Sequence, residues 1–251
     1  MPASTLPDDD RFIAHGPTHE LVDHLRGVAQ LTAARLPAAS APWGHLAGLW
    51  HDLGKFRPGF QRHVRQDFDA HVEGRALVSA DKTHSAAGAL HALELLKARH
   101  GAHGQAGGWL LANLIASHHH GLYDHDQLAE RLLGGGAQTS CRERDEAVTA
   151  CSSACRELLD LPQDLHPSGL FTAIPGLAQK EPLAQSLWLR LLFSALVDAD
   201  FLDTEAYLDR ERTSKRTGFA PLAEYLDRLD AYLGELTERT RAAGRADDPV
   251  M

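Results

Sequence analysis

The sequence predicts an all-α protein, a single globular helical domain, and three observations carry that reading. Apolar residues make up 43% of the chain, with Ala and Leu dominant and few β-branched runs, a balance that favours helix. Segment after segment repeats its apolar residues at three- and four-residue spacing. No stretch of useful length alternates with the two-residue period of a strand. At 251 residues the chain can bury a substantial core.

Residues 1–14, with Pro2, Pro7 and an Asp run, read as a flexible leader, 15–243 as the domain and 244–251 as a polar tail. From Glu20 to Leu36, Leu21, Val22, Leu25, Val28, Ala29 and Leu31 mark a helix closed by Pro37, with His24 on or beside its buried face. Pro42 to Leu53 reads as a second helix, opened by its proline, lined by Trp43, Leu46, Leu49 and Trp50, and ended at Gly54. A short helix over Phe56–Val64 and a loop over 65–82 follow. Lys82-Thr83-His84-Ser85 opens the next helix, which Thr83 or Ser85 would cap, and which continues through Leu90, Leu93 and Leu96. The Gly/His-rich stretch 100–108 reads as a surface loop.

Gly108 to Ser117 is apolar and delivers His118-His119-His120 at its C-terminal end. Three consecutive histidines face three directions, so at most two can serve one site. Asp124–Leu133 is a short helix, Ser140–Leu161 a polar, peripheral one, and the proline-punctuated stretch 161–182 an irregular connection. From Leu183 a long core helix reaches Asp198-Ala199-Asp200-Phe201, and Ala220–Ala243 is a charged amphipathic helix. Carboxylates after so apolar a run need a partner, and a metal ion supplies one.

The formal net charge of −9 argues against a protein that coats nucleic acid by bulk electrostatics, so any such contact must be local. No apolar run is long enough to cross a bilayer, and the acidic N-terminus is unlike a secretory signal, which places the protein in the cytoplasm, away from membranes. The three cysteines (Cys141, Cys151, Cys155) lack Cys-x-x-Cys spacing and suggest neither a disulfide framework nor a zinc ribbon.

Sixteen histidines are the unusual feature, and their positions matter more than their number. His51-Asp52 offers an imidazole nitrogen and two carboxylate oxygens from adjacent residues, a metal-binding pair when it stands at a helix end. His24, His84, His118-His119 and Asp200 each fall at the end or on the inner face of a predicted helix, which is how helical bundles build metal sites. Lys55 beside such a cluster would repel a metal unless something anionic, such as a phosphate, lies there too. Its alternative is a solvated lysine at a helix end.

The order H…HD…H…HH…D on a helical chain resembles the HD-domain metal-dependent phosphohydrolase superfamily. Within it, the HD nuclease domain of the CRISPR-associated helicase-nuclease of type I systems is the best match. The residues carrying it are Asp23-His24-Leu25 with Val28-Ala29, His51-Asp52-Leu53-Gly54-Lys55, Lys82 to Gly88, Ile115-Ala116-Ser117-His118-His119 with Gly121-Leu122 and Asp124, and Asp198 to Glu205. They span roughly residues 15–210. Ser117 stands where the family often has Gly, and His120 where it usually has a small residue. The register of the match favours 118/119 over 119/120, and Asp200 over Asp198.

The resemblance implies endo- or exonucleolytic hydrolysis of single-stranded DNA in antiviral interference. It also implies two divalent ions bridged by Asp52, with His24, His51 and Asp200 on one side and His84, His118 and His119 on the other. Two such ions about 3.5–4 Å apart clamp the attacking and leaving oxygens of an in-line displacement. Imidazole-rich sites suit Mn, Fe, Co, Ni or Zn better than Mg. Asp52 and Lys55 are the expected catalytic residues, Lys55 holding the scissile phosphate or balancing its charge. The implied partners are a helicase domain or subunit of the same system and the RNA-guided surveillance complex. The family's larger members carry a helicase after this domain and this sequence does not, so it reads as a stand-alone subunit or an excised domain. Two other readings share the ligands: a phosphohydrolase of the same superfamily acting on nucleotides, and a metal-stabilised, non-catalytic module recruited to a protein–RNA complex.

Overall fold

The computed structural model describes residues 11–73, 84–163, 165–166, 181–216 and 220–243, in two compact units divided between Leu208 and Asp209. The first unit opens with a small antiparallel hairpin, β1 (Ile13–His15) and β2 (His19–Glu20). Residues 11–14 were expected in the flexible leader, but Leu21 N–H donates to Phe12 O at 2.8 Å and Gln61 clamps the strand: Ile13 N–H donates to its Oε1 at 2.9 Å, and its Nε2 donates to Ile13 O at 3.0 Å. The rest of the expected leader, residues 1–10, and the tail, 244–251, lie outside the described residues.

Helix α1 (Leu21–Ala34) turns Leu21, Leu25, Val28 and Ala29 into the core, and His24 shares that face, fully buried. Helix α2 (Ala41–Trp50) buries Trp43, Leu46 and Trp50, and the indole N–H of Trp50 reaches Leu158 O at 2.7 Å, so burial leaves no polar orphan there. α2 stops three residues before the expected end. The chain passes through His51 and Asp52 into a 3-10 turn (Leu53–Phe56), so Gly54 lies inside that turn rather than capping the helix.

Helix α3 (Pro58–Glu73) is longer than expected and takes up the first half of the loop placed at 65–82; residues 74–83 lie outside the described residues. Helix α4 (Ser85–Ser117) is the largest correction. The stretch 100–108 is helical, broken only at Gly101, where φ is +59°, and Gly104, Gly107 and Gly108 are buried. Glycine suggested a loop, but Gly104 and Gly108 let the two halves of α4 lie against each other across the break at Gly101, where a Cβ would meet Leu96 or Leu93. Gly88 of the same helix allows a close approach to α2, since a Cβ there would sit 1.8 Å from Trp50 O. His84 is the N-cap, without a side-chain capping bond, and Ser85 is the first helical residue, so Ser85 does not cap; Thr83 lies outside the described residues.

Helix α5 (His125–Leu133) follows, then α6 (Ala137–Cys155) and a 3-10 turn (Arg156–Leu159). Although polar, α6 is not peripheral: it buries Ala147, Cys151 and Cys155, and its Glu143 meets buried Arg57 at 3.0 Å, tying it to the chain just after the His-Asp turn. Burial pushes the Cys151 thiol up to about 12 and the Cys155 thiol up to about 11. A thiol reagent at pH 8 is therefore expected to modify Cys141 promptly and the other two only after denaturation. Prompt reaction of all three would contradict this packing.

Helix α7 (Pro182–Leu208) buries Trp188, Leu192, Leu196 and Ala199 on one side but leaves Leu183, Leu187 and Leu191 exposed, so only one face of this helix is core. Of the irregular connection at 161–182, residues 164 and 167–180 lie outside the described residues. The second unit holds α8 (Arg210–Ser214), capped by Asp209 Oδ1, which accepts from Arg212 N–H at 2.9 Å, and α9 (Leu222–Ala242). Along α9, Glu235–Arg239 at 3.3 Å and Glu224–Arg228 are i,i+4 pairs of the kind that support an exposed helix. Among the described residues, no helix is long and apolar enough to cross a membrane.

Candidate metal centre

The His51-Asp52 turn lies at the junction of α1, α2, α4 and α7. Its backbone runs so close to the start of α4 that a Cβ on Gly54 would fall 2.1 Å from His84 O and 2.6 Å from its Cα. Glycine is needed at 54 for this approach, which brings His84 to Asp52. Asp52 is 1% exposed, and its two oxygens face different sets of groups. Oδ2 lies 3.4 Å from His24 Nε2, 3.3 Å from His51 Nε2 and 2.7 Å from Lys55 Nζ. Oδ1 lies 3.2 Å from His84 Nε2 and 3.4 Å from His118 Nε2.

Asp200 Oδ1 joins the first set, 3.4 Å from His24 Nε2 and 3.6 Å from His51 Nε2. His119 joins the second, its Nε2 2.8 Å from that of His84. All seven residues expected as ligands thus meet around one carboxylate. Asp198 does not: it is exposed and pairs with Arg35 Nε at 2.7 Å. His120 is exposed on the turn that follows α4.

The imidazoles are held by their far sides. His51 Nδ1 lies 2.8 Å from Gly48 O, and His118 Nδ1 2.6 Å from Ile115 O. A carbonyl can only accept, so both Nδ1 atoms carry a hydrogen and both Nε2 atoms are turned into the cluster. His24 Nδ1 likewise donates, to Asp203 Oδ2 at 2.8 Å. The inward atoms are left over: Nε2 of His24, His51 and His118 and Oδ1 of Asp52 are buried without a hydrogen bond among the described residues. Buried polar atoms without partners are costly, and several converging from four helices and turns mark a place built for something polar.

Donor atoms around one ion at metal–ligand distances near 2.0–2.2 Å lie about 3–4 Å apart. Here Asp52, His84, His118 and His119 offer atoms all within 4.8 Å of one another, and so do His15, His24, Asp52 and Asp200. The electrostatics favour positive charge. Burial opposes protonation of His51, but the Asp52 and Asp200 carboxylates outweigh it and carry its pKa up to about 10. Burial would raise Asp52, yet Lys55, His51 and His84 hold it well below the usual carboxylate range, and His51 does the same for Asp200. In the other set burial dominates, lowering His118 and pushing His119 down to about 4, so these imidazoles are neutral and free to ligate.

Lys55 is not a solvated helix-end charge: its side chain is 4% exposed. The anion beside it is the Asp52 carboxylate itself, and the ammonium also lies 3.4 Å from His15 Nε2 and Ala14 O.

Sequence reasoning missed His15, His19, Asp203 and Tyr207. His15 sits among His24, Asp52 and Asp200, and His19 Nε2 lies 3.4 Å from Asp203 Oδ2. Asp200, Asp203 and Tyr207 stand at i, i+3 and i+7 on α7, a spacing that puts them on one helical face and could have flagged Asp203.

Comparison with known proteins is consistent with this arrangement. No curated protein matches the chain. The family model described as "Cas3, HD domain" matches residues 11–196, which take in every residue of the cluster except those at the end of α7. The chain belongs to the HD-domain family of Cas3.

Proposed function

We propose that the protein is a two-metal nuclease that hydrolyses phosphodiester bonds of single-stranded DNA in type I CRISPR interference. The observation that carries this reading is the division of Asp52, with one oxygen turned to His24 and His51 and the other to His84 and His118. The residues present fit two divalent ions, because orphaned buried nitrogens on both sides of one carboxylate are what a bridged pair would satisfy. His24, His51, Asp52 and Asp200 would hold one ion, and Asp52, His84, His118 and His119 the other. When bound, such a pair supplies Lewis-acid stabilisation of the attacking and leaving oxygens of an in-line displacement. The protein's own part is positioning. Gly48 O and Ile115 O lock two imidazoles in one tautomer, Gly54 lets the turn reach α4, and Lys55 places a fixed positive charge beside the bridge, where a phosphate would gather negative charge.

Nitrogen-rich ligand sets favour Mn, Fe, Co, Ni or Zn over Mg. Incubating metal-reconstituted protein with circular single-stranded DNA, an RNA and a panel of nucleotides tests the reading. Cleavage of the circle supports it. Turnover of nucleotides alone points to the nucleotide phosphohydrolase, and metal-dependent folding without turnover to the binding module recruited to a protein–RNA complex. Association with a helicase subunit and that complex is part of the same proposal.

The register of the histidine run gives a further expected result. His120→Gly should leave rate and metal content near wild type, since His120 faces solvent, whereas His118→Ala should lower both, because its buried Nε2 faces Asp52. Elemental analysis beside a rate measurement decides it, and the opposite order would move the pair to 119/120.

A further inference from the structure

The three buried imidazoles of the cluster are not held alike. His51 and His118 donate their Nδ1 hydrogens to neutral backbone carbonyls, whereas His24 donates its own to the carboxylate of Asp203. We propose that Asp203 is a positioning residue that fixes the tautomer and orientation of His24 and strengthens it as a ligand, so that the ion held with His51 and Asp200 depends on Asp203 while the other ion does not. This rests on the two-metal reading above.

Two features of the fold serve this contact. The first is room on α1: a Cβ on Gly27 would lie 2.1 Å from Asp203 Oδ1, so the carboxylate can reach His24 only because residue 27 is glycine. The second is support from the hairpin. His19 Nε2 lies 3.4 Å from the same Asp203 oxygen, and its ring stacks on Tyr207 at 4.5 Å between centroids and 13° between planes. Tyr207 OH in turn lies 2.9 Å from Thr18 Oγ1. The last two turns of α7 therefore present Asp200 to the ion position, Asp203 to the back of His24 and Tyr207 to the hairpin. A carboxylate behind a ligating imidazole makes the ring a better donor, and losing such a partner costs about 10–100-fold in metal affinity.

Calorimetric titration of the metal-free protein with Mn²⁺, without substrate, tests this. Wild type should bind two equivalents. In Asp203→Ala one equivalent should weaken by about 10–100-fold and the other hold its affinity. Asp203→Asn keeps an oxygen that can accept from Nδ1 but not the charge, and should recover part of the loss. Gly27→Ala, which displaces the carboxylate without touching it chemically, should mimic Asp203→Ala. Repeating the pair in a His84→Ala background, where the second ion is already weakened, assigns the affected equivalent.

Both equivalents at wild-type affinity in Asp203→Ala would overturn the inference. So would loss of both together with a lower melting temperature of the metal-free protein, which would make Asp203 merely structural. A wild type that binds three equivalents and a variant that binds two would also overturn it, by making Asp203 a ligand with His19. A wild type that binds one ion would remove the two-metal reading; the inference would then be decided by whether Asp203→Ala weakens that ion.

Discussion

Asp52→Ala is expected to abolish hydrolysis, lowering turnover by at least about 1,000-fold, and to strip both ions at concentrations that saturate the wild type. The reason is the double use of one side chain. Every other candidate ligand faces one side of the cluster, whereas Asp52 is within 3.4 Å of imidazoles on both. Removing it also leaves the buried Lys55 ammonium without its carboxylate and takes away a negative charge that stabilises the buried His51 cation. A buried ion pair broken on one side typically costs about 3–5 kcal/mol, so a lower melting temperature should accompany the loss. The helices should remain, because the core built from Trp43, Trp50, Phe56, Leu111 and Ile115 is untouched. Asp52→Asn, with nearly the same volume, separates the effects: it should keep more stability than Asp52→Ala and be as inactive. Turnover near wild type at stoichiometric metal in either variant would refute the bridging assignment.

The sequence made some of this site legible because its ligands stand where helical spacing and helix ends place them. His24 recurs with Leu21, Leu25 and Val28 on the buried face of α1, and His118 closes an apolar run at the end of α4. What stayed hidden depends on contacts between segments distant in sequence. The hairpin has strands of three and two residues, too short to show a two-residue period, and its order comes from Gln61, about 48 residues on. The glycines of 100–108 looked like a loop because composition cannot distinguish a glycine that frees the backbone from one that lets two helical segments touch across a break. A Cβ on Gly104 would lie 2.0 Å from Leu96 O. Gly54 shows the same ambiguity in its placement as a helix stop. Polar α6 was assigned to the periphery because its few buried positions, Glu143 among them, are satisfied by partners such as Arg57 that only the fold brings near. Lys55 was left between a phosphate contact and a solvated charge because its nearest anion, three residues back, faces it only through the 3-10 turn.

Lys55→Ala is expected to lower turnover on single-stranded DNA by roughly 10–1,000-fold, the scale of losing a charge-assisted contact to the reacting group, while metal content stays at or above wild type. The sign for metal follows from Coulomb's law. The ammonium lies 2.7 Å from Asp52 Oδ2, on the side of the carboxylate that faces His24 and His51, so it repels any cation placed there and its removal can only favour binding. A purely structural lysine would show the opposite pattern, because a turn that loses its internal ion pair would release Asp52 and lose the ions with it. Lys55→Met separates charge from bulk: it keeps a long apolar side chain beside the Phe60 ring, which Lys55 Nζ approaches at 5.6 Å from its centroid, and removes only the charge. If charge is what acts on the scissile phosphate, Met and Ala variants should be equally slow and equally metal-replete. Rates within a few-fold of wild type in both would refute the role, since a buried cation beside the reacting group cannot be removed silently if it contributes to the transition state. Slow turnover with lost metal in Ala but not in Met would instead assign Lys55 to packing the turn that presents Asp52.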